Sequence, residues 1–279
     1  QGLHADIRVL FGQPTLAALA AALGADTRVA VPANRIVRGT TAITPAMLPL
    51  ADLSQAAIDT LVAQVPGGIQ NIQDIYGLAP LQQGILYHHL ASDGADPYVL
   101  QARFAFPGQA ELDAFAAALD QVIARHDILR TSIHWQTLEE PVQVVWRTVP
   151  SLAASMHCAP AYTGIGLGQA PLVRLLPEQT DTGLQATLLI HHIILDHAAV
   201  EQLVAEITAV LQGRPLAEAS VPYRNYVAQA RLGADPQADE ALFRELLGDI
   251  DEPTLVYGLH DAHGDTRDVH DSRLTVDAA

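Results

Sequence analysis

Four side chains able to exchange protons or bind a metal crowd into the segment HHIILDHAAVE, where His191, His192, Asp196 and His197 fall within seven positions. An imidazole with an ordinary pKa of about 6.5 takes and returns a proton near neutrality, so one of the paired histidines is a candidate base. Consecutive residues of a strand point to opposite faces, so one histidine is expected to pack inside and the other to meet substrate. Two other readings stand beside this one. A histidine in a core is usually just hydrogen-bonded, and His192, Asp196 and His197 also have the composition of a zinc-hydrolase ligand set. The single cysteine, Cys158, adjoins His157. Neighbours on an extended chain face apart, so it reads as structural and not as a nucleophile.

The cluster needs elements to hold it. The apolar run LQATLLI ahead of His191 has the pattern of a strand covered on both faces, and Val200, Leu203, Val204, Ile207 and Leu211 continue as a helix closed by Gly213. A histidine at the end of such a strand is held in one orientation, and the positive end of the following helix favours developing negative charge, which suits acyl transfer. Upstream, Ser54 is an N-cap for a helix through Ile58, Leu61, Val62 and Val65 that stops at Pro66-Gly67-Gly68. Residues 80–90 read as a helix with Ile85, Leu86 and Leu90 on its apolar face, 99–106 as a strand, 111–125 as an amphipathic helix and 141–149 as a strand. The expected class is α+β, an α/β sandwich with a mixed sheet flanked by helices. No period of 20 to 50 residues recurs, which excludes a solenoid or propeller.

Composition narrows the function classes. Of 279 residues 49% are apolar and 16% charged, enough to bury a core. The net charge of −16 repels a phosphate backbone, so nucleic acid is not an expected partner. The longest alanine-rich run, LAALAAALGA, is too short to span a bilayer, so no membrane association is expected either. The chain opens on Gln1, has no signal-peptide pattern and uses one cysteine, which reads as an internal piece of a cytoplasmic protein.

Four segments in order carry a resemblance. YGLAPLQQGILYHHL at 76–90, RHDILRT at 125–131, HHIILDH at 191–197 and YRNYVAQ at 223–229 resemble the first four core motifs of condensation domains of nonribosomal peptide synthetases, members of the chloramphenicol-acetyltransferase-like superfamily. The opening IRVLFGQPTLAALAAAL is similar to the last helical region of a peptidyl carrier protein, without a GGxS-type stretch for the phosphopantetheine anchor. The expected organisation is a carrier tail at 1–24, a linker at 25–44 and the N-terminal lobe of a condensation domain at 45–279, with the second lobe absent. YHHLASDGAD further resembles the extra motif of dual epimerisation/condensation domains through His88, His89 and Asp96. Ala95 stands where that motif has Gly, and His197 where the general signature ends in Gly.

The resemblance implies peptide-bond formation between a carrier-tethered thioester donor and an aminoacyl acceptor, with L-to-D epimerisation of the donor. His192 matches the active-site position, as base or as stabiliser of the intermediate. His191, His192, Asp196, His88 and His89 make up the candidate catalytic set, although His88 or His89 on a helix can simply face solvent. Arg130, Arg125 and His197 are supporting residues, and an Arg130–Asp196 clamp is expected to brace the loop. No cofactor or metal is expected to bind directly, because substrates arrive on phosphopantetheine arms. The implied partners are an upstream donor carrier, a downstream acceptor carrier and an adjacent adenylation domain. A metal-dependent hydrolase and a noncatalytic carrier-binding module are the alternatives.

Overall fold

The computed structural model describes residues 3–4, 15–17, 20, 24–25, 29–91, 96–156, 164–181, 183–216, 221–252 and 255. The chain divides into two compact units, Gln1–Ala234 and Asp235–Ala279. In the first unit the strands are β1 (Leu3–His4), β2 (Gly24–Ala25), β3 (Ile72–Gly77), β4 (Val99–Phe106), β5 (Thr131–His134), β6 (Val142–Trp146), β7 (Val173–Thr180) and β8 (Gly183–His191). Its helices are α1 (Gln55–Gln64), α2 (Pro80–Ala91), α3 (Gln109–Arg125), α4 (Leu152–Ser155), α5 (His197–Leu211) and α6 (Tyr223–Leu232). The second unit contributes α7 (Pro236–Leu247), whose Leu242, Phe243, Leu246 and Leu247 are exposed.

The α+β class holds, with a correction to the sheet. Among the described residues the strands form, in place of one mixed sheet, two three-stranded sheets, β3-β6-β5 and β4-β8-β7, beside the short β1-β2 pair. Every pairing between described strands is antiparallel. β8 lies between β4 and β7, and its last four residues are all buried. That central place explains the apolar run before His191. β7 lacks a strand-like sequence pattern because it carries Pro177, which an edge strand tolerates.

Helix α3 buries Leu112, Phe115, Leu119, Val122 and Ile123 in a core shared with β8 and with Leu203 and Ile207 of α5. Each such side chain contributes roughly 1.5–3 kcal/mol when removed from water. The Ser54 hydroxyl accepts the Ala57 N–H at 3.3 Å, so α1 starts where its cap predicts. Helix α2 departs from expectation. Its inward stripe is Gln82, Ile85, Leu86 and the half-buried His89, whereas Leu90 is exposed. The spacing i, i+3, i+4, i+7 from Gln82 marks that face, and a polar residue at its start concealed it.

Residues 29–44 contain no helix or strand, yet they are no free tether. Ile36 and Ile43 are buried against α1 and β3, and the strap is pinned by Asn34 Nδ2 to the Gln73 carbonyl and by Gln70 Nε2 to the Thr40 carbonyl, each at 2.9 Å. Most of the opening segment IRVLFGQPTLAALAAAL, including Leu19, and Cys158 with His157 lie outside the described residues, while Leu16 is exposed. No helix among the described residues is long and apolar enough to cross a membrane.

A buried ion pair ties the strap and α6 to β3. Arg224 donates to Asp74 Oδ2 and to the Pro32 carbonyl, both at 2.8 Å. Burial outweighs the attraction of Arg224 and lifts the Asp74 carboxyl from 3.8 to about 6. The folded state therefore holds this proton more tightly than the unfolded chain does, and the group's contribution is greatest below about pH 4 and is lost as pH rises through about 6. Asp74→Asn removes that loss. Urea unfolding of variant and wild type is expected to show their difference shifting toward the variant by at most ~3 kcal/mol between about pH 4 and pH 6.5.

Candidate functional site

The register of β8 against its neighbours sets where the histidines stand. Val99 of β4 pairs with His191, and the next residue, His192, leaves the ladder while its N–H still donates to the Tyr98 carbonyl at 2.7 Å. His191 is fully buried and His192 half-buried, the alternation a strand end imposes.

His192 lines a largely apolar cavity of about 410 Å³ together with Gln82, Ile85, Ile193, Leu203 and Tyr223. Its ring lies 6.4 Å from that of Tyr98, at 74°. Neither ring nitrogen has a hydrogen-bond partner among the described residues, so the imidazole offers a lone pair or a proton to whatever occupies the cavity.

The loop carrying His192 is braced by a buried amide pair absent from the expected set. Gln82 Nε2 donates to the Ile193 carbonyl at 2.9 Å, and Gln82 Oε1 accepts from Ala79 N at 2.9 Å and from Gln143 Nε2 at 2.8 Å. Gln143 also reaches the Gly77 carbonyl at 3.1 Å. One signal could have found Gln82, namely its helical spacing to Ile85 and Leu86. Gln143 sits in a strand among valines and becomes meaningful only through its partner.

On the other face of the strand end, His191 Nε2 lies 2.9 Å and His89 Nδ1 2.5 Å from the same oxygen of Asp96, Oδ2. The other oxygen, Oδ1, accepts the Tyr98 N–H at 2.9 Å. Burial raises the Asp96 pKa, but the hydrogen bonds from Tyr98, His89 and His191 outweigh it and hold the carboxyl below the usual range. Among the described residues these three are the group whose ligand atoms approach closely enough, all within 4.8 Å, to hold a metal ion. His88, next on α2, is exposed, with its ring 6.1 Å from Tyr98.

Two expectations are corrected. Asp196 does not clamp Arg130. Its carboxylate is the exposed N-cap of α5, accepting the Ala199 N–H at 2.8 Å. Arg130 is buried and donates instead to the Trp146 carbonyl and, at 3.2 Å, to Gln73 Oε1. A helix beginning at His197 needs its first N–H groups satisfied, and Asp196 is the residue placed to do so. The ligand set His192, Asp196 and His197 is likewise not assembled, because His197 is exposed on the first turn of α5 with Glu201 3.8 Å away. Arg125 pairs with α5 and not with the strand end that carries His191. It and His126 meet Glu206 of α5 at 3.6 and 2.7 Å, fastening the end of α3 to the helix behind His192.

Comparison with known proteins places this geometry in context. Residues 72–250 match the family model of the condensation domain. Malpinin synthetase of Mortierella alpina is 42% identical over 99% of this chain, which spans 4% of that protein. Tyrocidine synthase 3 of Brevibacillus parabrevis is 30% identical over 57% of this chain and 3% of its own length. The chain thus spans a small part of these relatives. A variant of the starter condensation domain of rhizomide synthetase shares the fold with a TM-score of 0.50 at 20% identity, over 65% of this chain and 50% of that one.

The contacts set different costs for three substitutions, all measurable by denaturant unfolding. Asp196→Ala removes an exposed cap and is expected to cost about 1 kcal/mol. Arg130→Ala empties a buried site and strands the Trp146 carbonyl, for about 2–4 kcal/mol. Gln82→Leu keeps the volume but strands the Ile193 carbonyl and the Ala79 N–H, for about 2–4 kcal/mol.

Proposed function

The chain belongs to the condensation domain family, and on that premise we propose that it carries the amide-forming step of nonribosomal peptide synthesis. The observation that supports this most directly is His192, whose two ring nitrogens lack partners among the described residues and which lines an apolar cavity at the end of a rigid strand. The amine of one carrier-tethered aminoacyl group attacks the thioester carbon of another. As the C–N bond forms and the C–S bond breaks, the sulfur leaves on its pantetheine arm.

An α-amine with a pKa of about 7.7–8.0 is already roughly a tenth to a fifth uncharged at pH 7, so deprotonating the ground state is not the difficulty. Nitrogen becomes acidic when it gains its fourth bond. His192 accepts that proton, or stabilises the charge until it moves, and the proton finally goes to the departing thiolate. Ile85, Ile193 and Leu203 along the cavity disfavour water, the competing nucleophile for the thioester. Asp196 and Gln82 act on the loop and not on the substrate.

The same reading makes phosphopantetheine arms of a donor and an acceptor carrier domain the delivery route, with an adenylation domain as neighbour, and assigns residues 1–24 to the last helical region of a carrier domain. It also takes the chain as a dual domain that inverts an L-configured donor, on the strength of His88, His89 and Asp96 together with His197. Epimerisation needs a group that removes the donor α-proton, which the thioester acidifies. His192→Ala in the synthetase containing this chain is expected to lower dipeptide formation by about 10² or more without changing the urea midpoint of the domain. Near-wild-type yield would overturn the assignment.

A further inference from the structure

We infer that the cavity beside His192 is an acceptor side-chain pocket that takes a bulky apolar residue, with Ala199, Leu203, Ile128 and Tyr223 setting that preference. The inference rests on the amide-forming reading above and names the substrate class of the same site.

The elements around the cavity each turn one face to it. On α5, Ala199, Gln202 and Leu203 stand at i, i+3 and i+4, and on α6, Tyr223 and Tyr226 stand at i and i+3. Ile128, half-buried in the turn that follows α3, closes the space between them. These walls are fixed from behind. The Tyr223 N–H donates to both carboxylate oxygens of Asp127 at 3.1 and 3.2 Å, Gln82 holds the Ile193 carbonyl, and Asp196 caps the start of α5. The pocket is thus formed before substrate arrives, and its volume of about 410 Å³ falls within the range of roughly 300–1,000 Å³ of small-molecule sites.

What the walls lack decides what enters. An amide or carboxylate brought out of water must have its hydrogen bonds replaced. Yet the polar side chains along the cavity are committed to the protein. Gln202 Nε2 donates to Glu206 Oε1 at 3.0 Å, His126 Nε2 lies 2.7 Å from Glu206 Oε2, and Gln82 uses both ends of its amide on Ala79, Gln143 and Ile193. Beyond the His192 ring, the Tyr223 and Tyr226 hydroxyls have no hydrogen-bond partner among the described residues. Burial pushes the Tyr223 hydroxyl up, so it stays neutral. A phenol can meet one polar atom, not the oxygen and two N–H groups of an amide. Asp196, exposed at the edge, repels an acidic side chain. An apolar side chain meets no such cost and gains by leaving water against Ile128, Leu203 and the two tyrosine rings, whose centroids lie 5.3 Å apart.

The position of His192 assigns the pocket to the acceptor. The imidazole meets the attacking nitrogen, and the acceptor Cβ stands two bonds from that nitrogen whereas the donor Cβ stands three. The wall continuous with His192 therefore faces the acceptor side chain.

The test uses the synthetase containing this chain, with its acceptor carrier loaded by transfer of chosen aminoacyl-phosphopantetheines so that no adenylation step selects the residue. Dipeptide formation is followed with one fixed donor and with leucine, phenylalanine, asparagine, aspartate or glycine as acceptor. Leucine and phenylalanine are expected to react about tenfold or more faster than asparagine and aspartate, which match leucine in size. The same residues offered as donors are expected to differ less than they do as acceptors. Ala199→Phe fills the pocket and is expected to slow leucine and phenylalanine about tenfold or more relative to glycine, with Ala199→Val giving a smaller loss in the same direction. General damage to the fold would slow every acceptor alike. If leucine and asparagine acceptors react equally, if the donor series carries the preference instead, or if both Ala199 variants slow glycine as much as leucine with an unchanged urea midpoint, the pocket assignment is overturned while amide formation stands. If no acceptor gives a dipeptide, the amide-forming reading falls and the pocket with it.

Discussion

A strand that ends inside a core must find partners for its last backbone groups, and in this chain the site is built from those partners. β8 runs between β4 and β7 and stops at His191, leaving the peptides of residues 191–193 beyond the full ladder. The His191 N–H finds the Leu172 carbonyl, the His192 N–H the Tyr98 carbonyl, the Ile193 N–H the His191 ring and the Ile193 carbonyl the Gln82 amide. An unpaired buried backbone group costs as much as a lost hydrogen bond, so each of these contacts is obligatory. Together they orient His192 without any bond to its own ring nitrogens among the described residues. A side chain can thus be held in place by its backbone while its ring nitrogens stay unengaged.

The same economy governs the polar groups around it. Gln82 and Gln143 satisfy each other and three backbone groups, so no charge is needed beneath the loop. Charge appears where burial is partial or paired. Asp96 stays ionised through three hydrogen bonds, whereas Asp74, more deeply buried, keeps a raised pKa even beside Arg224. A second histidine, His134, shows the opposite use of the residue. Buried and bonded to Ser132 and Gln64 at 2.9 Å each, it is pushed down to about 4 by burial and serves packing alone. Three histidines in one fold are therefore separated into an available ring, an anchored neutral ring and a structural one by their hydrogen bonds, not by their residue type.

Much of this was legible in residue order. The run before His191, the N-cap at Ser54, the period of α3 and the strand at 99–106 follow from local pattern, because apolar spacing and capping are local requirements. That consecutive histidines take opposite faces also follows from strand geometry. The edge strand β7 with its Pro177, the inward turn of His89 in place of Leu90, and the packing of Ile36 and Ile43 do not, since each depends on what lies across the fold from it.

The partners of charged and amide groups belong wholly to that second kind. Asp196 and Arg130 have the residue types of a salt bridge, but the start of α5 claims the carboxylate and the Trp146 carbonyl claims the guanidinium. Asp96 meets His191 across 95 positions and Gln82 meets Ile193 across 111. Sequence by itself determined which side chains can exchange protons and which elements carry them, because those follow from chemistry and periodicity along the chain. Which of them share a hydrogen bond was decided only by tertiary structure, because directional bonds of about 3 Å depend on how strands register and helices dock, and neither is written in local spacing.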